Sequence, residues 1–366
     1  MTGLTVLRPE HRAQWLEVLE HSFQSDFYHL PQYHALAEER GEGKAHLFVY
    51  ESAGYVIAVP LLLRQIGEMP CHERLGRGWQ DATSVYGYVG PIASHADLPA
   101  PVLHDFQACL HEELTARKVV TVFSRLHPLI PQRAWLADLG VYTPMGPTVS
   151  MDLTQPLDVQ RSHYRGNHKR DINRLQRLGV NWCDDKDWVH LDDFVGIYYE
   201  NMRRVNASGM YFFDRAYFHE LMSISDSEVH LFVCVLDAEV ICGGLFLTHD
   251  SIVQYHLGGT RQEFLQLAPM KTLFDGARLW ANERQARVLH LGGGVGARED
   301  SLFHFKAGFS TRRHEFAVWR WVILPELDAQ LREEKLQWAK QRGLVLDSPD
   351  FFPSYRCPEC PCIHGD

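Results

Sequence analysis

The chain has 366 residues, 45% of them hydrophobic and 22% charged. That length suits two domains of ~150 residues plus an appendage, and the composition excludes disorder, collagen-like repeats and coiled coil. Its 36 Lys and Arg against 46 Asp and Glu leave a net charge of -10, which excludes a protein that coats nucleic acid over its whole surface while leaving room for a local basic site.

No apolar run approaches the ~20 residues of a membrane helix, and the N-terminus lacks the charged and apolar regions of a signal peptide. The expectation is a cytoplasmic protein without a membrane span. Five cysteines, Cys71, Cys109, Cys183, Cys234 and Cys242, are scattered among apolar or mixed neighbours, where a reduced thiol behaves as a small hydrophobe.

In chain order the periodicities predict a helix near 10–21, then a helical stretch holding Tyr33, then two β-branched-rich runs either side of Glu51-Ser-Ala-Gly54. A helix at 101–116 and a strand at 119–126 follow, then helices at 157–177 and 187–205. The next segment repeats the first: shifting the chain by 184 residues lays 27–64 over 211–248, with His46-Leu-Phe-Val49 on His230-Leu-Phe-Val233 and Tyr33 on Tyr217. Nine of 38 positions are identical, and the second hairpin turns at Asp237-Ala-Glu239.

Further strands are expected at 252–258, 287–291 and 315–323. Between the first two stands a helix at 269–285, with Pro269 near its first turn and Leu273, Phe274, Ala277, Trp280 and Ala281 on one apolar stripe. An amphipathic helix at 326–341 precedes a Pro-rich tail. The expected class is α/β (α+β), with mixed sheets flanked by helices. The boundaries read as an N-terminal domain 1–150, a C-terminal domain 151–325 and an appendage 326–366.

Four segments carry chemistry. Arg161 to Arg177 holds six Lys and Arg and one acid in an acidic chain. Arg170, Arg174 and Arg177 share one helical face there, and with Lys169 they suit phosphates, because each guanidinium is a planar fork of donors; a solvated basic face has the same spacing. Leu289-His-Leu-Gly-Gly-Gly-Val-Gly296 would let backbone N–H groups at Gly293 and Gly294 approach a ligand, or serve as a flexible strand-to-helix crossing.

In Asp300-Ser-Leu-Phe-His-Phe-Lys-Ala-Gly-Phe309 a single lysine, Lys306, is framed by Phe303, Phe305 and Phe309. An ammonium partly desolvated by aromatic walls can anchor a carboxylate or polarise a carbonyl; the alternative is core phenylalanines with Lys306 reaching to water. Asp81, Ser84, Tyr86 and Tyr88 gather on the Gly-punctuated stretch 79–91, as in an acceptor pocket or a plain turn. The tail offers Cys357, Cys360, Cys362 and His364, with a spacing too tight for a usual zinc site and no second knuckle, so no metal is assigned.

Together, Asp81-Ala-Thr-Ser-Val-Tyr-Gly-Tyr88, the basic helix before Gly179, Tyr255-His-Leu-Gly-Gly-Thr-Arg261 and His290-Leu-Gly-Gly-Gly followed by Phe303-His-Phe-Lys-Ala-Gly-Phe309 resemble the FemAB (FemX-like) branch of the GNAT acyltransferase superfamily over residues 20–323. The resemblance implies two tandem GNAT-like domains and transfer of an amino acid from aminoacyl-tRNA to an amine. It places Phe305 and Lys306 at the transfer site. Asp81, Tyr86, Tyr88, Tyr164 and Arg203 become acceptor candidates from a cleft between the domains, and Ser84, Tyr255 and Arg261 join them as substrate-binding candidates.

In that reading Lys306 stabilises the developing oxyanion or anchors the acceptor carboxylate, and substrate, water or Asp300 assists proton transfer, with no covalent enzyme intermediate. The acceptor is a peptide, a peptidoglycan-precursor-like molecule or a small amine, and no cofactor is expected. Two other readings stay open. One is an acyl-CoA N-acyltransferase, with pyrophosphate at Gly292–Gly296 or at the start of the helix after Pro269, although Leu265-Gln-Leu-Ala-Pro-Met replaces the usual glycine-rich loop there. The other is a noncatalytic peptide- or tRNA-binding protein.

Overall fold

The computed structural model describes residues 3–207, 209–348 and 350–361, so Cys362 and His364 of the tail lie outside the described residues. Two compact units divide the chain, one made of Met1–Pro144 and Ala317–Asp366 and the other of Met145–Phe316.

The first unit opens with β1 (Gly3–Leu7), α1 (Arg12–Glu20), α2 (Pro31–Glu39), β2 (Lys44–Ser52) and β3 (Tyr55–Gln65). It continues through β4 (Gln80–Thr83), β5 (Ile92–Ala93), α3 (Ala100–Ala116), β6 (Val119–Arg125) and α4 (Gln132–Trp135). A unit boundary falls inside β7 (Val141–Asp152). The second unit contains α5 (Leu157–Ser162), α6 (Gly166–Arg177), β8 (Asn181–Asp184), α7 (Leu191–Arg204), α8 (Arg215–Met222), β9 (Glu228–Leu236), β10 (Glu239–His249) and β11 (Ile252–Thr260). Next come α9 (Met270–Glu283), β12 (Val288–Gly292), α10 (Ser301–Lys306) and β13 (Arg313–Val322), in which the other boundary falls. The chain ends with α11 (Pro325–Gln341), β14 (Leu344–Leu346) and β15 (Glu359–Pro361).

Each unit holds a mixed sheet of one plan. The first runs β1-β2-β3-β4-β6-β13, antiparallel except for the β4/β6 pair, with β5 added on β3. In the second the order is β8-β9-β10-β11-β12-β7, antiparallel except for β11/β12. The last strand of each sheet is supplied by the segment that follows the other unit's parallel pair, β13 for the first and β7 for the second.

The duplication is therefore structural. Moved by 184 residues, β2 falls on β9 and β3 on β10, end to end. Both hairpins turn on two residues with left-handed backbone, Ala53 and Gly54 at φ 51° and 84°, Asp237 and Ala238 at φ 49° and 65°. A two-residue turn with both φ positive matches the twist of antiparallel strands and fixes the register, Ser52 opposite Tyr55 and Leu236 opposite Glu239.

In the second unit α9 forms as its stripe predicts. Leu273, Phe274, Ala277, Trp280 and Ala281 are all buried with Phe232, Phe246, Val253 and Leu289 of the sheet. Each large side chain so buried contributes about 1.5–3 kcal/mol, so packing outweighs local propensity in holding this helix.

One expectation is corrected. The helix expected at 157–177 is two helices, α5 and α6, because Tyr164 turns inward: its hydroxyl donates to Asp275 Oδ1 at 2.9 Å and accepts from Arg278 Nε at 2.8 Å, and Arg165 N–H leaves the helical ladder for the Gly308 carbonyl. The described part of the segment read as an appendage, 326–361, groups with the first unit. His72 binds Glu334 of α11 at 2.6 Å, Lys335 pairs with Glu359, and the Tyr355 hydroxyl bonds Thr121 of β6 at 2.7 Å. In the tail Cys357 is buried against the Ser348 carbonyl, and Cys360 sits beside Asp347.

Candidate active site

The parallel strands β11 and β12 pair over only three residues each, Ile252–Gln254 with Val288–His290. Beyond them β11 continues on β10 alone to Thr260, while β12 shifts register against β7 between His290 and Gly292, where Gly292 takes φ 75°. The strands part and leave a wedge. Into it reaches Lys306, the last residue of α10: its Nζ donates to the Gly293 carbonyl at 2.8 Å and stands 5.5 Å from the centroid of the Tyr255 ring on β11.

Lys306 is 6% exposed. Burial lowers its pKa from the ordinary lysine range to about 7, against a smaller upward pull from Asp300. A group with that pKa is present in both protonation states at neutral pH, which is what transfer of a proton in both directions requires.

The local sequence holds α10 in place. Asp300 is its N-cap, accepting from Phe303 N–H at 2.9 Å and from Val295 N–H at 3.0 Å. Burial raises the Asp300 pKa, but these backbone donors outweigh it and hold the carboxylate below its usual range. Asp300 thus serves as the cap of α10, with its carboxylate held by backbone donors.

Phe305 packs on His168, Phe274 and Phe309, with centroids 5.6–5.8 Å away. The glycines of the 292–296 run serve close packing as well as backbone freedom: a Cβ on Gly294 would lie 2.1 Å from the Arg298 carbonyl and 2.3 Å from Asp300 Oδ1. Gly308 faces the same constraint, since a Cβ there would stand 2.2 Å from His168 Nε2.

Several sequence candidates have structural work instead. Tyr164 is buried in the Asp275–Arg278 network, where burial and then the Asp275 carboxylate push its pKa up. Arg261 is spent on the Val240 carbonyl at 2.8 Å and Asp193 at 2.9 Å, tying α7 to the β9–β10 hairpin. Arg203 lies exposed in the last turn of α7 with its guanidinium over Tyr199. Of the expected substrate-binding residues in the second unit, Tyr255 alone meets Lys306.

In the first unit Asp81 is fully buried and accepts from Arg64 at 2.7 Å and from Arg356, so both carboxylate oxygens are taken by arginines. Ser84 accepts from Arg125 N–H. Tyr86 and Tyr88 are half-buried, Tyr88 beside the rings of Tyr28 and His127. Removing one partner of a buried charge cluster leaves the others uncompensated. Asp81→Ala is expected to lower the unfolding free energy by about 3 kcal/mol in chemical denaturation, and a loss under ~1 kcal/mol, the surface-pair range, would show that the carboxylate does not hold the tail.

The basic helix keeps its predicted face. Arg170, Arg174 and Arg177 of α6 are exposed, while His168, Ile172 and Leu175 are buried beneath them. Lys169 donates to the Ser162 carbonyl at 2.9 Å, and Asp171 is held by Lys271 of α9 at 2.6 Å. The first turn of α9 is closed to a phosphate: the N–H groups of Lys271, Thr272 and Leu273 already bond the carbonyls of Ala268 and Pro269.

Sequence reasoning passed over His168 and Arg165, which lie inside the basic run. They bind the carbonyls of Phe305 and His304, at 3.0 and 3.1 Å, and so connect α6 to the lysine-bearing helix. Only the presence of a histidine among arginines hinted at this. Asn201, whose amide donates to the Gly258 carbonyl at 3.1 Å on the stretch of β11 beyond its pairing with β12, had no sequence signal.

Residues 162–306, the segment that carries α6 and Lys306, match the family described as Acetyltransferase (GNAT) domain. Over 89% of its length the chain shares its fold with FemX, at a TM-score of 0.67 and 13% identity, with 99% of that chain covered. It is also similar to the C-terminal domain of a putative lysylphosphatidylglycerol synthetase from Agrobacterium fabrum, at a TM-score of 0.52 and 13% identity over 88% and 96% of the two chains. A third likeness is to L-PGS from Bacillus licheniformis, at 0.52 and 13% over 85% and 92%. No curated protein matches the sequence. Among the described residues no helix is long and apolar enough to cross a membrane.

Proposed function

We propose that the chain is an aminoacyltransferase that moves an aminoacyl group from aminoacyl-tRNA to the amine of a peptide-like acceptor, with Lys306 as the proton-transferring group. The observation that carries the reading is the buried lysine with a pKa near neutrality in the wedge, one packed helix away from an exposed arginine face. The FemX fold and the FemAB-like motifs support the same donor class.

An acceptor amine of ordinary pKa arrives protonated, and only its neutral form attacks. Neutral Lys306 takes that proton, the amine nitrogen attacks the ester carbonyl carbon, and the resulting ammonium lies where negative charge develops on the carbonyl oxygen. As the acyl C–O bond breaks, the proton passes from Lys306 to the departing ribose oxygen, and the attacking nitrogen, cationic after the attack, releases its second proton to solvent as it becomes the amide. The amide product and a free tRNA 3′ end result, with no covalent enzyme intermediate. The Tyr255 ring lies over the lysine, and burial of the ammonium is what holds its pKa low.

The GNAT family match favours a second reading, an acyl-CoA donor. The closed first turn of α9 argues against pyrophosphate there. Purified protein, charged total tRNA with labelled amino acids and an extract of small amines separate the two. Transfer into ribonuclease-resistant products that is abolished by pretreating the donor with ribonuclease is the expected result. Transfer from acetyl-CoA, with none from charged tRNA, would replace this reading by the second.

A further inference from the structure

We infer that His168, on the buried side of the basic helix α6, is a positioning residue for Lys306, holding the last turn of α10 so that the ammonium stays in the wedge. The inference rests on the reading of Lys306 given above, but its test reads the lysine without turnover.

Three contacts from the start of α6 grip the same short stretch. His168 Nε2 donates to the Phe305 carbonyl at 3.0 Å, Arg165 Nη1 donates to the His304 carbonyl at 3.1 Å, and Arg165 N–H donates to the Gly308 carbonyl at 2.8 Å. These acceptors lie within two residues of Lys306 on either side. The residues just past this six-residue helix already donate to the Phe303, Phe305 and Lys306 carbonyls, so His168 adds a second donor at Phe305, while Arg165 holds the His304 and Gly308 carbonyls.

The imidazole also fills the space against the motif. Its centroid is 4.7 Å from that of Phe309 and 5.6 Å from that of Phe305, and it occupies the place where a Cβ on residue 308 would go. Gly308 is therefore the partner of His168, which gives the Phe-x-Phe-Lys-x-Gly-Phe pattern a physical reason for its glycine. Burial lowers the His168 pKa, with Lys271 and Arg165 pushing the same way against the Phe305 carbonyl and Asp171, which favours a neutral ring with Nε2–H on the Phe305 carbonyl, while Nδ1 stands 3.1 Å from Asn167 Oδ1.

Consequently the helix whose outer face carries Arg170, Arg174 and Arg177 carries on its inner face the clamp on the lysine helix. Lys306 itself faces the Gly293 carbonyl, the Tyr255 ring and, more distantly, Asp300. Nothing else charged is needed to account for its setting.

The test follows the Cε resonance of Lys306 against pH in full-length protein labelled on its eight lysines, with Lys306→Arg for assignment. In the wild type the midpoint is expected at about 7. His168→Ala removes both the donor and the ring, water reaches the ammonium, and the midpoint is expected to rise by about one unit or more. His168→Gln, which keeps an N–H donor, is expected to restore at least half of that shift. Arg165→Ala, at an exposed position that does not threaten folding, should raise the midpoint in the same direction.

Leu221→Ala, a cavity in α8, is the control for general loosening. Midpoints unchanged in both His168→Ala and Arg165→Ala would overturn the inference, as would an equal shift in Leu221→Ala. A Lys306→Ala protein that retains full transfer would instead end the functional reading and leave the titration result standing.

Discussion

Lys306→Ala is expected to lower aminoacyl transfer by about 10²–10⁴-fold in kcat, the range for loss of a positioned acid–base group, with little change in donor KM. The same rate loss is expected for Lys306→Met, yet that protein should be the more stable one. Lys306 is buried with a single carbonyl partner and no carboxylate within hydrogen-bond distance, so the folded state bears a desolvation cost that an apolar chain of similar length does not.

The pH dependence follows from the direction of the shift. The folded-state value, about 7, lies below the unfolded lysine value, so the unfolded chain binds the extra proton between the two. Wild-type stability therefore rises with pH across that window, and the penalty is fully present below pH 7. Lys306→Met should gain on the order of 1–3 kcal/mol over wild type at pH 6, and the gain should shrink as pH rises toward 10. Transfer, which needs the neutral amine, should rise with pH and level off above about 7. Thermal melts at pH 6 and pH 9 beside a kcat profile check both. A Lys306→Met protein less stable than wild type at pH 6 would show that the lysine is not desolvated as the wedge implies.

The scaffold was legible in the sequence because both of its signals are periodic. Nine identities at an offset of 184 residues marked two hairpins that superpose strand for strand, and the apolar stripe of α9 marked the helix over the second sheet. Lys306 was legible for a related reason, since a single lysine among phenylalanines is a local anomaly. The partners of the acceptor candidates were not legible, because a buried carboxylate or tyrosine looks the same in sequence whether it faces a ligand or an arginine. Asp81 met Arg64 and Arg356, the latter 275 residues away, and Tyr164 met Asp275 and Arg278 more than a hundred residues on. Such partners are set by tertiary packing, and no window along the chain contains both. The clamp of His168 on Phe305 spans 137 residues and was hidden in the same way.

The arginine face of α6 decides whether the donor is a polyanion. Arg170, Arg174 and Arg177 are exposed, none is bound to a carboxylate by a salt bridge among the described residues, and the chain around them is acidic overall. Replacing all three by Glu leaves the buried face of the helix, His168, Ile172 and Leu175, untouched, so the melting temperature should move little. Binding of tRNA, in contrast, should weaken by roughly 10²-fold or more. The slope of log affinity against log salt should flatten by about 2–3, because each guanidinium that neutralises a phosphate releases close to one counterion. Acyl-CoA binding, if present, should be far less sensitive, since a small donor does not need the whole exposed arginine face. Fluorescence anisotropy of labelled tRNA at several salt concentrations reads both quantities. An unchanged affinity with an unchanged slope would mean that this face is only solvated charge, and the aminoacyl-tRNA reading would lose the surface it depends on, leaving the lysine in the wedge to serve a small acyl donor.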